Sequence, residues 1–391
     1  MKDLKIFAKT IEQQAQDQID LLLAQKPFEA CKVRIMPDVH SGAGCVIGFT
    51  ANLGDKVIPN IVGVDIGCGM LVVPLGKISI DYQMLDNVIR QYVPSGRNVH
   101  SAPVFPVDLS KYRCFERLRN IEWLKNSLGT LGGGNHFIEI DKDEDGNNYL
   151  VIHTGSRNLG KQVAEIYQSV AVNNLHSKKE ERAALIQKLK AEGRECEISE
   201  ALKQLKAETA NIPADLCYLE GEDRENYLHD MRLCQDFATQ NREIIAHIIC
   251  GAMRCWFIDR NTMFHTVHNY IDDENMVRKG AISAKAGQPL LIPINMRDGC
   301  ILGEGLGNPD WNESAPHGAG RIMSRSKAKA SISIEEYKKS MDGIFTTSVD
   351  TQTLDEAPQA YKPMSEIVEC IAETVTIKKI LKPVYNFKAS E

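Results

Sequence analysis

In the stretch ESAPHGAGRIMSRSK (residues 313–327), a single histidine, His317, stands between a proline and a Gly-Ala-Gly run. Arg321, Arg325, Lys327 and Lys329 follow it with no acid among them. An imidazole on such bare backbone is poorly placed to fill a core. It is well placed to meet a ligand, and the cations behind it suit a polyanion.

Three other segments pair glycine with metal-competent or donor-rich side chains, and a fourth carries two histidines. In GVDIGCGM, Asp65 and Cys68 lie three apart on a glycine turn, and a thiolate there could bridge two cations. A buried cysteine beside a turn-capping aspartate is the bland alternative. In GTLGGGNHFIEI, strand alternation puts Asn135, Phe137 and Glu139 on one side and His136 with Ile138 on the other. In YLVIHTGSRNLG, a strand ends at His153, a small-residue turn holds Ser156 and Arg157, and a helix opens after Gly160. A helix N-terminus beside an arginine is a natural anion seat. In FHTVHNYI, His265 and His268 face opposite ways if the chain is extended, so one of them is expected as a ligand and not both. Together these residues make a mixed N/O/S set fit for one or two divalent ions. Carboxylate would suit manganese or magnesium and sulfur would suit zinc.

The elements that must position them divide by texture. Residues 30–160 are glycine-rich with short apolar runs (VRIMPD, CVIGFTA, NIVGVDIG, MLVVPL, FIEI, YLVIH) that read as strands. From Lys161 the apolar residues recur at helical spacing, with Val163, Ile166, Tyr167 and Val170 on one side. Residues 176–210 read as a charged helical excursion, and a further amphipathic helix is expected from about Arg232 to Cys255. Strands are expected again near Trp256, at QPLLIPI and at KPVYNFKAS, with helices around IEEYKKSM and MSEIVECIAETV. No repeat or linker marks a boundary. The expectation is an α+β fold, one large domain over 1–391 with mixed sheets around a cleft and a predominantly helical insertion at 161–255.

The bulk numbers agree. A chain of 391 residues, 43% hydrophobic and 25% charged, can bury a large core, and its longest apolar runs are too short to span a bilayer. The N-terminus, MKDLKIFAKTIEQQ, lacks the pattern of a signal peptide. Eleven scattered cysteines, an odd count, suggest reduced thiols and a cytoplasmic protein. The net charge of −6 argues against indiscriminate nucleic-acid coating, though not against a local basic groove.

The motifs taken together resemble the RtcB family of GTP-dependent RNA ligases. The likeness runs in family order through MPDVHSGAGCVIG (36–48), GVDIGCGM (63–70), GTLGGGNHF (129–137), HTGSRNLG (153–160), HNY (268–270), RKGA (278–281), HGAGRIMSR (317–325) and NFK (386–388). It implies a pair of manganese ions held by Asp65, Cys68, His136, His153 and His268, with the cysteine shared. It implies that His317 becomes guanylylated, with Gly318, Ala319 and Gly320 letting N–H groups approach the phosphates. Asn135, Glu139 and Lys388 match positions that hold GTP, and Arg157 and Arg325 match arginines that hold RNA phosphates. The implied activity joins RNA 3′-phosphate or 2′,3′-cyclic phosphate ends to 5′-hydroxyl ends, in RNA repair or tRNA processing. A metal-dependent cyclic phosphodiesterase that does not ligate would use the same metal residues without His317 as nucleophile. One segment departs from the family: where small residues along the lines of PGSMG are usual, this chain has PINMRDG, with Asn295, Arg297 and Asp298. A reshaped nucleotide pocket is therefore expected.

Overall fold

The runs FIEIDK and NYLVIHT form strands β5 (Phe137–Lys142) and β6 (Asn148–Thr154), paired antiparallel with Phe137 opposite His153. The fold is given by a computed structural model, which describes residues 3–177, 179–202, 212–254 and 258–389. Ile138, Ile140, Leu150 and Ile152 join Leu71 and Val73 of β4 (Gly69–Gly76) on one face of the sheet. There they meet Ile245 and Ile249 of the long helix Gly221–Met253. On the opposite face Phe137, Val151, Met70 and Val72 pack with Leu291, Cys300 and Leu381. Burial on both faces is why these strands read as nearly continuous apolar runs. Truncating one such side chain, Ile152 for example, should cost about 2–5 kcal/mol.

The sheet continues through β11 (Pro289–Asn295), β12 (Gly299–Gly305), β15 (Val375–Lys388) and β7 (Phe264–Val267), in the order β11-β12-β15-β5-β6-β4-β7. A short strand, β14 (Phe345–Thr346), pairs with β15 off this path. The two ends of the sheet approach each other, and Leu291 N donates to Thr266 Oγ1 at 3.2 Å. The sheet is thus curled, with Glu139 and His153 on the same side as Phe137.

A five-stranded sheet lies beside it, in the order β1 (Asp3–Ile6), β2 (Lys32–His40), β3 (Ile47–Asn52), β9 (Met276–Lys279), β8 (Asn269–Ile271), with β1 and β2 parallel. The pair β10 (Ala281–Ser283) and β13 (Ser314–Pro316) completes the strands and ends one residue before His317. The basic residues of RKGA serve this packing. Arg278 is buried against Ser314 and Asp272, and Lys279 Nζ donates to the carbonyls of Ala43 and Asn60.

Several expectations need correction. NIVGVDIG is not a strand: Pro59–Ile61 is a 3-10 turn, and Gly63 and Gly67 adopt φ of 100° and 73°. Left-handed glycines cannot continue a pleated strand, so the ladder starts only at Gly69. The helix expected after Gly160 begins earlier, at Arg157, and runs to Ser177. The helix expected from Arg232 begins at Gly221, because apolar residues Tyr227, Leu228 and Met231 already face the core. The excursion contains the helix Lys179–Ala191, and residues 203–211 lie outside those described, as does Trp256 with its expected strand. The closing strand starts at Val375 instead of Lys382, following the helix Met364–Ile371. Among the described residues, no helix is long and apolar enough to cross a membrane.

Candidate active site

The turn before β5 and the end of β6 converge on Cys68. Its Sγ lies 3.5 Å from His136 Nε2 and 3.4 Å from His153 Nε2, and His136 Nε2 lies 3.0 Å from Asp65 Oδ2. Ligand atoms of Asp65, Cys68 and His136 lie within 4.8 Å of one another, and so do those of Cys68, His153 and His268. Cys68 therefore belongs to both clusters. His265 belongs to neither: on β7 it faces Arg242 and Glu243.

The imidazoles are oriented from behind. Nδ1 of His136 lies 2.9 Å from Leu131 O, and Nδ1 of His153 lies 3.1 Å from Asn135 O. A carbonyl only accepts, so both Nδ1 atoms carry the proton and both Nε2 lone pairs face the thiol. His268 Nδ1 is buried without a hydrogen-bond partner among the described residues. Such an orphaned lone pair fits a cation.

The electrostatics point the same way. Burial, with the neighbouring histidines, pushes His153 and His268 well below the usual histidine range, which keeps them neutral. Burial would push Asp65 up, but the adjoining His136 ring and the charge of Arg157 outweigh it and hold the carboxyl low. Burial and the Asp65 charge push the Cys68 thiol well up. A thiol so placed gains its thiolate form from a bound cation, and the donor set of one thiolate, imidazoles and one carboxylate fits a divalent transition metal.

Glycines admit these contacts. A Cβ on Gly155 would lie 2.2 Å from Asp65 Oδ1, and one on Gly132 would lie 1.6 Å from Arg157 Nη1. The glycine run of GTLGGGNHF thus makes room for a guanidinium. Arg157 itself takes φ of 59°. The long helix braces the same loops: Asn241 Oδ1 accepts from Gly129 N and Thr130 N, and Arg242 Nη1 donates to Gly67 O and Thr154 O.

His317 stands beside the second cluster, its ring centroid 4.8 Å from that of His268. Asp38 of β2 holds it, with Oδ2 2.6 Å from His317 Nδ1. The same oxygen accepts from the backbone N–H groups of His317 and Gly318. The proton is thereby kept on Nδ1, and Nε2 is left to attack. Gly280 of RKGA supports the ring closely, since a Cβ there would lie 3.3 Å from His317 Cε1.

Below His317 opens a cavity lined by Asn135, Glu139, His153, His268, Gly318, Ala319, Gly320, Arg325 and Lys388, among others. Lys388 is paired at 2.5 Å with buried Glu356, which Arg325 also reaches at 2.6 Å. Arg325 further binds Asp355. The departing segment PINMRDG forms the β11–β12 turn, and Pro293 to Met296 line this cavity, while Arg297 turns to pair with Asp298. Arg157 lies elsewhere, in a groove on the Asp65 side with Arg97, Trp123 and Lys161. The two arginines singled out from the sequence therefore serve different openings. Asp38, His40, Glu356, Tyr361 and Asn386 were not singled out. Asp38 carried one signal, an acid embedded in the apolar strand VRIMPDVH, where burial demands a partner.

A buried thiol shared by two clusters of potential metal ligands lies beside an oriented imidazole and a cavity that holds Arg325 and Lys388. The chain belongs to the RtcB family, described as "tRNA-splicing ligase RtcB", which matches residues 21–110 and 111–389. It is 30% identical to the RNA-splicing ligase RtcB of Escherichia coli K12, covering 98% of this chain and 97% of that protein. It is 26% identical to the tRNA-splicing ligases RtcB of Pyrobaculum aerophilum and Aeropyrum pernix, in each case over 89% of this chain and 85% of the relative.

Proposed function

We propose that this chain is a manganese- and GTP-dependent RNA ligase, joining RNA 3′-phosphate or 2′,3′-cyclic phosphate ends to 5′-hydroxyl ends in the cytoplasm. The observation that carries the reading is the Asp38–His317 pair set 4.8 Å from His268. A hydrolase that only opened cyclic phosphates would not need His317 as a nucleophile.

His317 Nε2 attacks the α-phosphorus of GTP, a P–N bond forms, and pyrophosphate leaves with the electrons of the broken P–O bond. Asp38 stabilises the positive charge that develops on the ring. An oxygen of the RNA 3′-phosphate then attacks the same phosphorus, the P–N bond breaks, and His317 recovers its lone pair. The RNA now ends in a diphosphate linked to guanosine. Finally the 5′-hydroxyl attacks the RNA-side phosphorus, expels GMP and seals the strand. N–H groups of Ala319 and Gly320 stand by the phosphates, Gly318 gives the close approach while its own N–H is held by Asp38, and Asn135, Glu139 and Lys388 hold the nucleotide. Asp65, Cys68, His136, His153 and His268 would hold the manganese pair, which offsets phosphate charge and activates the entering oxygen.

In-line displacement puts the entering and leaving groups on opposite sides of phosphorus. With the nucleotide in the cavity, the entering strand comes from the Asp65 side, where Arg157, Arg97 and Lys161 meet its phosphates. Arg325 neutralises charge on the cavity side. We read residues 1–391 as one catalytic domain, with 161–255 a helical insertion in it, acting in RNA repair or tRNA processing.

The test is a sealing assay on RNA with a 3′-phosphate and a 5′-hydroxyl, with and without GTP. Joined product that requires GTP supports the ligase. Cyclic-phosphate opening by wild type and His317→Ala alike, with no joined product from either, favours the hydrolase.

A further inference from the structure

The cavity ends on a wall made by β5 and β15. In that ladder Asn386 stands opposite Glu139 and Lys388 opposite Phe137, and all four residues line the cavity. Asn386 is fully buried, and its Nδ2 donates to Glu139 Oε1 at 2.6 Å. A carboxylate can only accept, so this bond fixes which end of the amide faces it. The other end, Oδ1, is buried with no hydrogen-bond partner among the described residues. The wall therefore offers two adjacent acceptors, Glu139 and Asn386 Oδ1, and one donor, the Lys388 ammonium.

We propose that Asn386 reads the nucleotide base: its Oδ1 accepts from the exocyclic 2-amino group of guanine, beside Glu139 accepting from N1–H. Lys388 donates to the O6 side. The inference rests on reading this cavity as a GTP site and goes beyond it by naming the residue and base atom that set the choice. Adenine would turn a lone pair, at N1, toward the acceptors. Hypoxanthine keeps N1–H and O6 but lacks the 2-amino group, and so leaves Oδ1 as unsatisfied as before.

Asp141 supports the arrangement from behind. It is fully buried two residues along β5, and both its oxygens lack partners among the described residues. Ligand atoms of Glu139, Asp141 and Cys300 lie within 4.8 Å of one another. Burial raises Asp141 to about 7. Burial and the Asp141 charge raise Glu139 as well, against the pull of Asn386 and Lys388. Asn386 and Lys388 are the groups that favour the charged, accepting form of Glu139.

The experiment is competition of GTP, ITP and ATP against a ribose-labelled fluorescent GDP, on the manganese-loaded protein, with covalent labelling by GTP run in parallel. Wild type should bind GTP about ten- to a hundred-fold more tightly than ITP, the loss expected of one buried hydrogen bond. That comparison changes only the ligand and needs no variant. Asn386→Leu and Asn386→Ser should each weaken GTP by a similar factor and ITP far less, bringing the ratio near one. Non-additivity of the two deletions identifies the contact. Equal binding of GTP and ITP by wild type, or a wild-type ratio kept in both variants, would overturn the inference while labelling by GTP leaves the ligase reading standing. Absence of both GTP binding and labelling would remove the two together.

Discussion

Asp38 Oδ2 lies 2.6 Å from His317 Nδ1 and takes two backbone hydrogen bonds from the same turn. One carboxylate oxygen thus fixes the rotamer, the tautomer and the supporting backbone of the proposed nucleophile. Asp38→Asn should slow covalent labelling by about a hundred-fold or more, because an amide can donate to Nδ1 and so favour the wrong tautomer. Bound metal should stay at the wild-type level. Rapid-quench labelling and elemental analysis measure the two; unchanged labelling would leave the pair without a catalytic role.

Cys68 is the one residue common to both ligand clusters. Its replacement by alanine should therefore deplete metal at both, whereas Asp65→Ala and His268→Ala should each weaken one. Affinity at the affected cluster should fall at least about ten-fold. Metal titration followed by elemental analysis gives the comparison. Equal stoichiometry in all three variants would contradict a shared sulfur.

Glu356 supplies a pH signature. Burial would raise its carboxyl, but the Lys388 and Arg325 charges outweigh burial and depress it to about 2, from an ordinary value of 4.5. A depressed carboxylate contributes stability that is fully present above its unfolded value and lost as pH falls through the folded one. The contribution, on the order of 3 kcal/mol, should disappear between about pH 4.5 and pH 2. Denaturant melts across that window should show a shallower slope for Glu356→Gln than for wild type. An identical slope would count against the Lys388–Glu356 pair.

Asn241 braces the glycine loop without touching the metal ligands. Its side chain accepts from Gly129 N and Thr130 N and donates to Thr130 O, all in the core. Asn241→Ala leaves those backbone groups unpaired and should cost about 2–4 kcal/mol in urea unfolding. Asn241→Asp should recover part of the loss, since its oxygens still accept both N–H groups.

Much of the site was legible because its residues announce themselves locally. A cysteine and an aspartate on a glycine turn, and histidines at strand ends, are chemistry placed where a core does not need it. Strand alternation implied that only one of His265 and His268 would serve as a ligand, the family likeness selected His268, and the two side chains do face different neighbours. Asp38 was harder, since its partner lies 279 residues away and the strand around it reads as plain core. Asn386 is partnered across the ladder by Glu139, a pairing that no local pattern encodes. The NIVGVDIG run misled because its apolar residues are buried in a turn, where the two left-handed glycines outweigh β-propensity.

The central claim is that His317 carries the guanylate. The protein should be incubated with manganese and GTP labelled at the α-phosphate, then resolved under denaturing conditions and mapped by mass spectrometry. The account predicts a labelled adduct on His317 that is stable to base and released by acid, and no adduct in His317→Ala. A label mapped to any other residue, or none with any divalent metal, would contradict it.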